Sequence, residues 1–398
     1  MSIERPMSYY AKPLVSVIIP TYNRAQLVYR AVESVLAQTF KDYEIIVVDD
    51  GSTDTTEELL ESAYKGKVLY IKKERNEGLA AARNTGIQVS RGACLAFLDD
   101  DDTWHPKKLE LQIALLRHKP SLGLVYCGYF QVDGTGRVGG EVKPTKRGKI
   151  HDELLCRNYI VGSASAALMA KEVVSRIGYF DEMLPSCEDW DMWIRIAKCY
   201  EIDFVDEPLV NCTFHSERMS SRLLNMESAT FAVLDKHWPE NPQREHTGQQ
   251  RNKLYSDHCI SFAWRYYERG ERQSFDRLMY KALEYYHLNT VFIQGNDLQG
   301  KEEALFEIFR RYWDNPAHRE QSKKRRWSLS RHYLQLAWEY YHRGDMKNYR
   351  RCVGKVFQFS YPRVPLRLII PFFKSFLGKP IAEGIHQARE RLMKSSWV

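Results

Sequence analysis

The sequence predicts a layered α/β domain over residues 1–236 followed by an all-helical domain over 237–398. Three observations predict it. Short apolar runs alternate with amphipathic stretches through the first 130 residues; polar chemistry sits at the carboxyl ends of those runs; and beyond residue 237 the pattern changes to helices rich in Tyr, Trp and Arg. The runs are VSVII (Val15–Ile19), EIIVV (Glu44–Val48), KVLYI (Lys67–Ile71), CLAFL (Cys94–Leu98) and LGLVY (Leu122–Tyr126). Short and rich in β-branched residues, they fit parallel strands buried on both faces. Between them Leu27, Val28, Ala31, Val32, Val35 and Leu36 make one helical stripe, and Leu109, Ile113 and Leu116 make another. Such alternation implies a mainly parallel sheet with right-handed crossovers, whose ligands bind at the carboxyl ends of the strands.

Residues 130–165, with the turn glycines of QVDGTGRVGG, read as hairpin and loop. A helix is expected near 171–177, then the segment GYFDE (178–182), an acidic cluster at 188–191 and a helix through Trp193, Ile194 and Ile196. In the second domain, residues 263–271 (AWRYYERGE) are echoed 74 residues later by 337–345 (AWEYYHRGD). Each copy sets a Gly after an aromatic helix, the pattern of a helical hairpin. It is similar to a tetratricopeptide unit, and the aromatic stripe reads as core.

Charge divides along the same line. Residues 1–239 carry 29 basic and 34 acidic side chains, and residues 240–398 carry 29 and 17. From Lys323 onward 17 basic residues face 4 acidic ones, and LRLIIPFFKSFLGK (366–379) interleaves them with apolar residues. This basic face is a candidate for docking on anionic lipid, with a solvated helical surface as the plain alternative. No nucleic-acid motif accompanies it, so nucleic acid is not an expected partner. The N-terminal MSIERPMSYYAKP lacks an apolar leader core, and no apolar run approaches the roughly 20 residues of a spanning helix. The eight cysteines form no CxxC pair. Together these point to a cytoplasmic protein with reduced thiols, peripheral at the inner membrane face if the basic tail docks there.

The strongest chemical signal is Asp99-Asp100-Asp101-Asp102, directly after an apolar run. Carboxylates at i and i+2 leaving a strand point the same way, so Asp99 and Asp101 can share a ligand. Four adjacent carboxylates repel, and a divalent cation would relieve that cost. Asp102 also suits a helix cap, since a helix is expected from about Pro106.

VSVIIPTYNR, EIIVVDDGSTD, NEGLAAARNTGI, FLDDDDTW and CEDWDMW, in that order over about residues 13–220, resemble family 2 glycosyltransferases of the GT-A fold. The resemblance implies inverting sugar transfer from a nucleoside-diphosphate donor (UDP-linked is the expectation) to a saccharide or lipid-linked acceptor in surface polysaccharide or lipopolysaccharide assembly. Mn²⁺ or Mg²⁺ is the implied cofactor. Carried over residue by residue, Pro20, Tyr22 and Arg24 line the nucleotide pocket, Asp50 meets the base, and Arg83 lies near the diphosphate. Asp99 contacts the ribose or metal, Asp100 lies beside it as part of the donor site or as a spacer, and Asp101 ligates the metal directly. Asp189 is the implied general base, Glu188 orients the acceptor, and Asp191 is structural at the start of a helix. His215 is either a third metal ligand or a structural polar residue. Two other readings stand against transfer: a non-catalytic protein that binds nucleotide sugar or scaffolds partners, and a nucleotidyltransferase, which would not call for the Glu188–Asp189 pair.

Overall fold

The computed structural model describes residues 12–215, 222–238 and 245–285. They belong to two compact units that meet in sequence at Gly248/Gln249. The first runs β1 (Val15–Thr21), α1 (Ala25–Leu36), β2 (Tyr43–Asp49), α2 (Thr56–Tyr64), β3 (Leu69–Lys72), α3 (Leu79–Val89), β4 (Cys94–Phe97), β5 (Thr103–Trp104) and α4 (Lys108–His118). It continues with β6 (Leu122–Asp133), β7 (Val138–Val142), α5 (His151–Cys156), β8 (Leu168–Ala170), α6 (Lys171–Ile177), α7 (Glu188–Cys199), β9 (Glu201–Phe214) and α8 (Leu223–His237). The nine strands form one sheet in the order β3-β2-β1-β4-β8-β6-β9-β5, with β7 paired to β6.

Half of this sheet is the expected one. β3, β2, β1 and β4 are parallel neighbours, and all seven residues of β1 are buried. The other half corrects the expectation of a mainly parallel sheet. β8 runs antiparallel to both β4 and β6, β7 and β5 are antiparallel edge partners, and only β6 with β9 is parallel there. The chain enters β8 from a tight turn at 162–166 that follows α5, and the strand runs against both of its neighbours.

The helices seat on this sheet through the predicted stripes. α1 buries Ala25, Val28, Ala31, Val32 and Val35. α3 comes closest to the sheet: a Cβ on Gly86 would lie 2.4 Å from Ile18 Cγ2, so only a glycine lets the helix backbone rest on β1. That contact fixes the height of Arg83 and Asn84, one turn earlier on the same helix.

Asp191 ties α7 to α8 and has the structural role expected of it. It has no exposed surface, and its Oδ2 accepts from Arg195 Nε at 2.9 Å. Its Oδ1 lies 2.8 Å from both Lys236 Nζ and His237 Nε2. Burial alone would raise its pKa, but His237, Arg195 and Lys236 together hold the carboxyl well below the usual carboxylate range.

In the second unit α9 (Glu245–Glu268) and α10 (Arg272–Tyr285) form a helical hairpin. Gly270 turns left-handed at φ +75°, and the amides of Gly270 and Glu271 bond back to Tyr267 and Tyr266 carbonyls, closing α9. Trp264 packs on Phe275 with ring centroids 5.3 Å apart, and Tyr255 packs on Tyr285 at 5.1 Å. The aromatic stripe of the first repeat copy is therefore core. The second copy (337–345), Cys352 and the basic tail from Lys323 lie outside the described residues, and the tetratricopeptide-like pairing rests on that second copy. Among the described residues no helix is long and apolar enough to cross a membrane, and no disulfide joins the seven described cysteines to one another.

Two measurements check this account. Gly86→Val forces a side chain against Ile18, and overpacking of that kind costs about 1–3 kcal/mol; urea unfolding should show the loss, and an unchanged midpoint would refute the close contact. Asp191→Asn should cost about 3–5 kcal/mol at pH 7, because it strands buried cations. The folded Asp191 carboxyl titrates below its unfolded value, so its contribution is complete above about pH 4 and is lost as the pH falls further. The deficit of the variant should accordingly shrink at pH 3, and an equal deficit at both pH values would contradict the ionic origin.

Candidate active site

The chain leaves β4 into the four aspartates, and each finds a different partner. Asp99 Oδ1 accepts from Arg83 NH2 at 2.6 Å, its Oδ2 from Ser163 Oγ at 2.7 Å, and its backbone amide donates to Ser165 Oγ. Asp100 turns inward, accepting from Thr21 Oγ1 at 2.8 Å and Arg24 NH1 at 2.9 Å. Burial pushes its carboxyl up to about 6 in spite of Arg24. Asp101 Oδ2 meets Arg24 NH1 at 3.2 Å and His215 Nε2 at 3.0 Å. Asp102, fully buried, accepts from the Thr213 amide and the Cys212 thiol. It fastens the run to β9 and does not cap a helix: α4 starts at Lys108, and its first turn has no side-chain cap.

The first two strand ends are stitched together beside this run. Asn23, left-handed at φ 54°, accepts from the amides of Thr53 and Asp54, while its own amide donates to Ser52 Oγ. Gly51 turns the chain after β2 at φ +84°, where a Cβ would sit 2.7 Å from the Arg75 backbone. Pro20 is buried within β1, Tyr22 is 43% exposed beside the Asn23 turn, and Arg24 spans from there to Asp100 and Asp101. Asp50 is buried and accepts from the Gly78 amide at 2.7 Å, the Glu77 amide and Lys73. It organises the approach to α3, and a nucleotide base would have to share a carboxylate already engaged.

Across the site, α7 begins at Glu188 after Cys187, which is left-handed at φ 60°. Asp189 lies in the first helical turn and keeps part of its surface open to solvent. Burial and then the charge of Glu188 raise its pKa, opposed by Arg83. A carboxyl poised in this way is suited to accepting a proton. Glu188 does not face outward: it is 5% exposed, and its Oε1 accepts from Arg83 NH1 at 2.5 Å.

Arg83, expected near a diphosphate, is 1% exposed, lies over the Phe180 ring and divides its two terminal nitrogens between Asp99 and Glu188. Glu188 and Asp100, expected at the acceptor and the donor, are also nearly buried. The structure brings together Asp101 with His215, Arg24 with Asp100 and Asp101, and Arg83 with Asp99 and Glu188. Among the described residues no group of three His, Cys, Asp or Glu side chains converges as a ready metal cage, since Asp99 is held apart by Arg83 and Ser163. The sequence reading missed Thr21, Ser163 and Ser165; the loop around 160–165 offered only the glycine before Ser163 as a signal.

The profile of glycosyl transferase family 2 matches residues 16–178, from β1 through α6. An uncharacterized glycosyltransferase of Rickettsia felis is 35% identical over 229 residues, 56% of this chain and 37% of that protein, so the chain spans little more than a third of that relative's length. The chondroitin synthase of Escherichia coli is 30% identical over 229 residues, covering 56% of this chain and 32% of the synthase. An uncharacterized glycosyltransferase of Methanocaldococcus jannaschii is 30% identical over 234 residues, covering 57% of this chain and 80% of its own length. Matched over most of such a relative, with the acidic run at the heart of the matched region, the chain belongs to glycosyl transferase family 2.

Proposed function

We propose that this protein transfers a sugar, with inversion, from a nucleoside-diphosphate donor to a hydroxyl of a saccharide or lipid-linked acceptor, in a divalent-cation-dependent reaction. The observation that carries the reading is a pairing across 114 residues of sequence: Asp101 Oδ2 and His215 Nε2 meet at 3.0 Å beside the β4 end. Asp189, on the facing helix, is near enough for Asp99 and Arg83 to act on its charge.

These residues fit a divalent cation. Asp101 and His215 set a carboxylate oxygen and an imidazole nitrogen side by side, 3.0 Å apart, a donor pair that would suit a divalent ion such as Mn²⁺. A hard cation of this kind takes one or two protein ligands and fills its other positions with water and phosphate oxygens, so a third carboxylate is not required. Asp101 and His215 would hold it; when bound, it would neutralise the diphosphate as a Lewis acid. Arg24, now on Asp101, would be free to turn to a phosphate oxygen. Asp99, anchored on both oxygens, is better suited to a ribose hydroxyl than to the metal. Tyr22, exposed just after the end of β1, offers a ring face to the base, and Asp50 offers the edge contact.

On the acceptor side Asp189 takes the hydroxyl proton as the oxygen attacks the anomeric carbon, while the bond from that carbon to the diphosphate oxygen breaks and the nucleoside diphosphate leaves. Its raised pKa keeps the carboxylate basic enough for this, and the N-terminal position on α7 stabilises the charge it starts with. The likeness to a chondroitin synthase supports a saccharide as acceptor.

Release of nucleoside diphosphate from a panel of nucleotide sugars, with Mn²⁺ or Mg²⁺ and with acceptor saccharides, tests the reading. Asp189→Asn should lower transfer by about 10²- to 10⁴-fold with nucleotide affinity retained. Asp101→Ala should remove the metal-dependent part of nucleotide binding. Full transfer activity in Asp189→Asn would overturn the base, and metal-dependent binding that survives Asp101→Ala would overturn the ligand.

A further inference from the structure

We propose that Arg83 and Glu188 form a buried strut holding the Asp189 turn against the donor end of β4, which makes Arg83 a positioning residue instead of a diphosphate ligand and Glu188 its anchor. The proposal rests on the transfer reading above and adds to it how the donor and acceptor halves are kept in register.

The geometry is a fork. Arg83 NH2 reaches Asp99 on the donor side at 2.6 Å and NH1 reaches Glu188 on α7 at 2.5 Å, linking groups 89 positions apart in sequence. A planar guanidinium suits this task, because its two terminal nitrogens can serve two carboxylates at once. Turning Arg83 toward a ligand would leave two carboxylates poorly compensated, one of them almost fully buried.

The base of the strut is rigid. Gly86 lets α3 rest on Ile18 of β1, one turn from Arg83. The next residue, Asn84, works in the same direction. Its side chain accepts from the Phe180 amide and donates to the Phe180 carbonyl and to Glu182 Oε1, bracketing the segment that leads into α7. The far end needs such support. Cys187 sits left-handed immediately before Glu188, a conformation unfavourable for a residue with a Cβ and kept only where surrounding contacts enforce it. Asp189 follows at once, between Glu188 on Arg83 and the buried Trp190, whose Nε1 donates to the Leu154 carbonyl at 2.7 Å.

The test compares Arg83→Met, Arg83→Lys, Glu188→Met, Glu188→Gln and the double variant Arg83→Met/Glu188→Met, each in the full chain. For whichever donor the parent protein turns over, the readouts are the ratio of acceptor transfer to donor hydrolysis and the affinity for the nucleoside diphosphate. A smaller folded population lowers transfer and hydrolysis together and leaves their ratio alone; a displaced base lowers the ratio. The ratio should fall about tenfold or more in Arg83→Met, since misplacement by about 1 Å is worth up to about 100-fold. Nucleotide affinity should stay within about threefold. Arg83→Lys should resemble Arg83→Met, because a shorter side chain with one nitrogen lacks the two separated terminal nitrogens that reach Asp99 and Glu188. Glu188→Gln should keep much of the ratio, because its amide oxygen still accepts from NH1. The double variant should be no worse than either single change, as expected for partners in one contact; it also removes both charges and so retains a folded protein if Arg83→Met alone does not.

A loss of nucleotide affinity of about tenfold or more in Arg83→Met, or a double variant whose losses multiply, would overturn the strut. Amide exchange over residues 186–190 supplies a readout independent of turnover: it should quicken in Arg83→Met, and unchanged protection would refute the proposal. If the parent protein turns over no donor, the transfer reading fails while amide exchange still decides the strut.

Discussion

Four carboxylates in a row at the end of β4 set the central constraint of this molecule. Three of them are nearly or fully buried, and like charges so close cannot all stay ionised without separate compensation. The fold meets the constraint by sending each one in a different direction: Asp99 to Arg83 and Ser163, Asp100 to Thr21 and Arg24, Asp101 to Arg24 and His215, Asp102 to the backbone of β9. To do so it draws partners from β1, the turn after β1, α3, the turn before β8 and the end of β9. The acidic run thereby organises the site from both sides, because the turn after β1, helix α3, the turn before β8 and the end of β9 are each tied to one of its members. Asp101 is the member whose partners, Arg24 and His215, are both part-exposed. That asymmetry is the physical basis for assigning the metal to Asp101.

The sequence made half of this legible. Buried parallel strands announce themselves as β-branched runs, and β1 through β4 and the start of β6 fall where those runs lie. β9 was hidden because EIDFVDEPLVNCTF mixes charges and a proline into an edge-directed strand, and β8 because three residues carry no periodicity. The site divides in the same way. The i, i+2 placement of Asp99 and Asp101 is readable from spacing, whereas Asp189 is singled out by the resemblance of CEDWDMW to the family. The orientations of the side chains are not readable. Whether Glu188 faces an acceptor or an arginine 105 positions earlier depends on how α3 and α7 approach each other, and nothing local to CEDWDMW contains that. The burial of Arg83 is hidden for the same reason: the resemblance places a cation near the diphosphate, but not its pairing with two carboxylates.

Backbone conformation reports the site independently of charge. Among the described residues three non-glycine positions have positive φ: Asn23, Ser163 and Cys187. Asn23 shapes the turn beside Tyr22 and Arg24, Ser163 grips Asp99, and Cys187 launches the helix that carries Asp189. Ser163 is the most unusual, with φ 53° and ψ −158°, a region that suits glycine. Such conformations cost of order 1–3 kcal/mol each and survive where contacts over-determine them. Here the contacts are visible: Asn23 accepts from two amides, Ser163 bonds to Asp99 and caps the turn at Ser165, and the Cys187 turn is followed by the buried Glu188–Arg83 pair.

Strain and charge compensation are therefore two aspects of one arrangement. A transferase of this kind needs a donor end and a base fixed relative to each other, yet the two arise on segments that no strand pairing joins: the β4 end and the start of α7. Sheet hydrogen bonds set the first, helix packing through Asp191 and α8 sets the second, and neither controls the distance between them. A buried, doubly paired arginine can do so, because it is stiff at its planar end, permanently charged and unable to release one partner without leaving the other exposed to the full cost of desolvation. Burial is the main cause that raises the pKa of Asp189; Glu188 adds to the rise and Arg83 opposes it. The proposed base is therefore linked to Arg83 and Glu188 through its charge as well as through its place, so a change at either residue is expected to alter both.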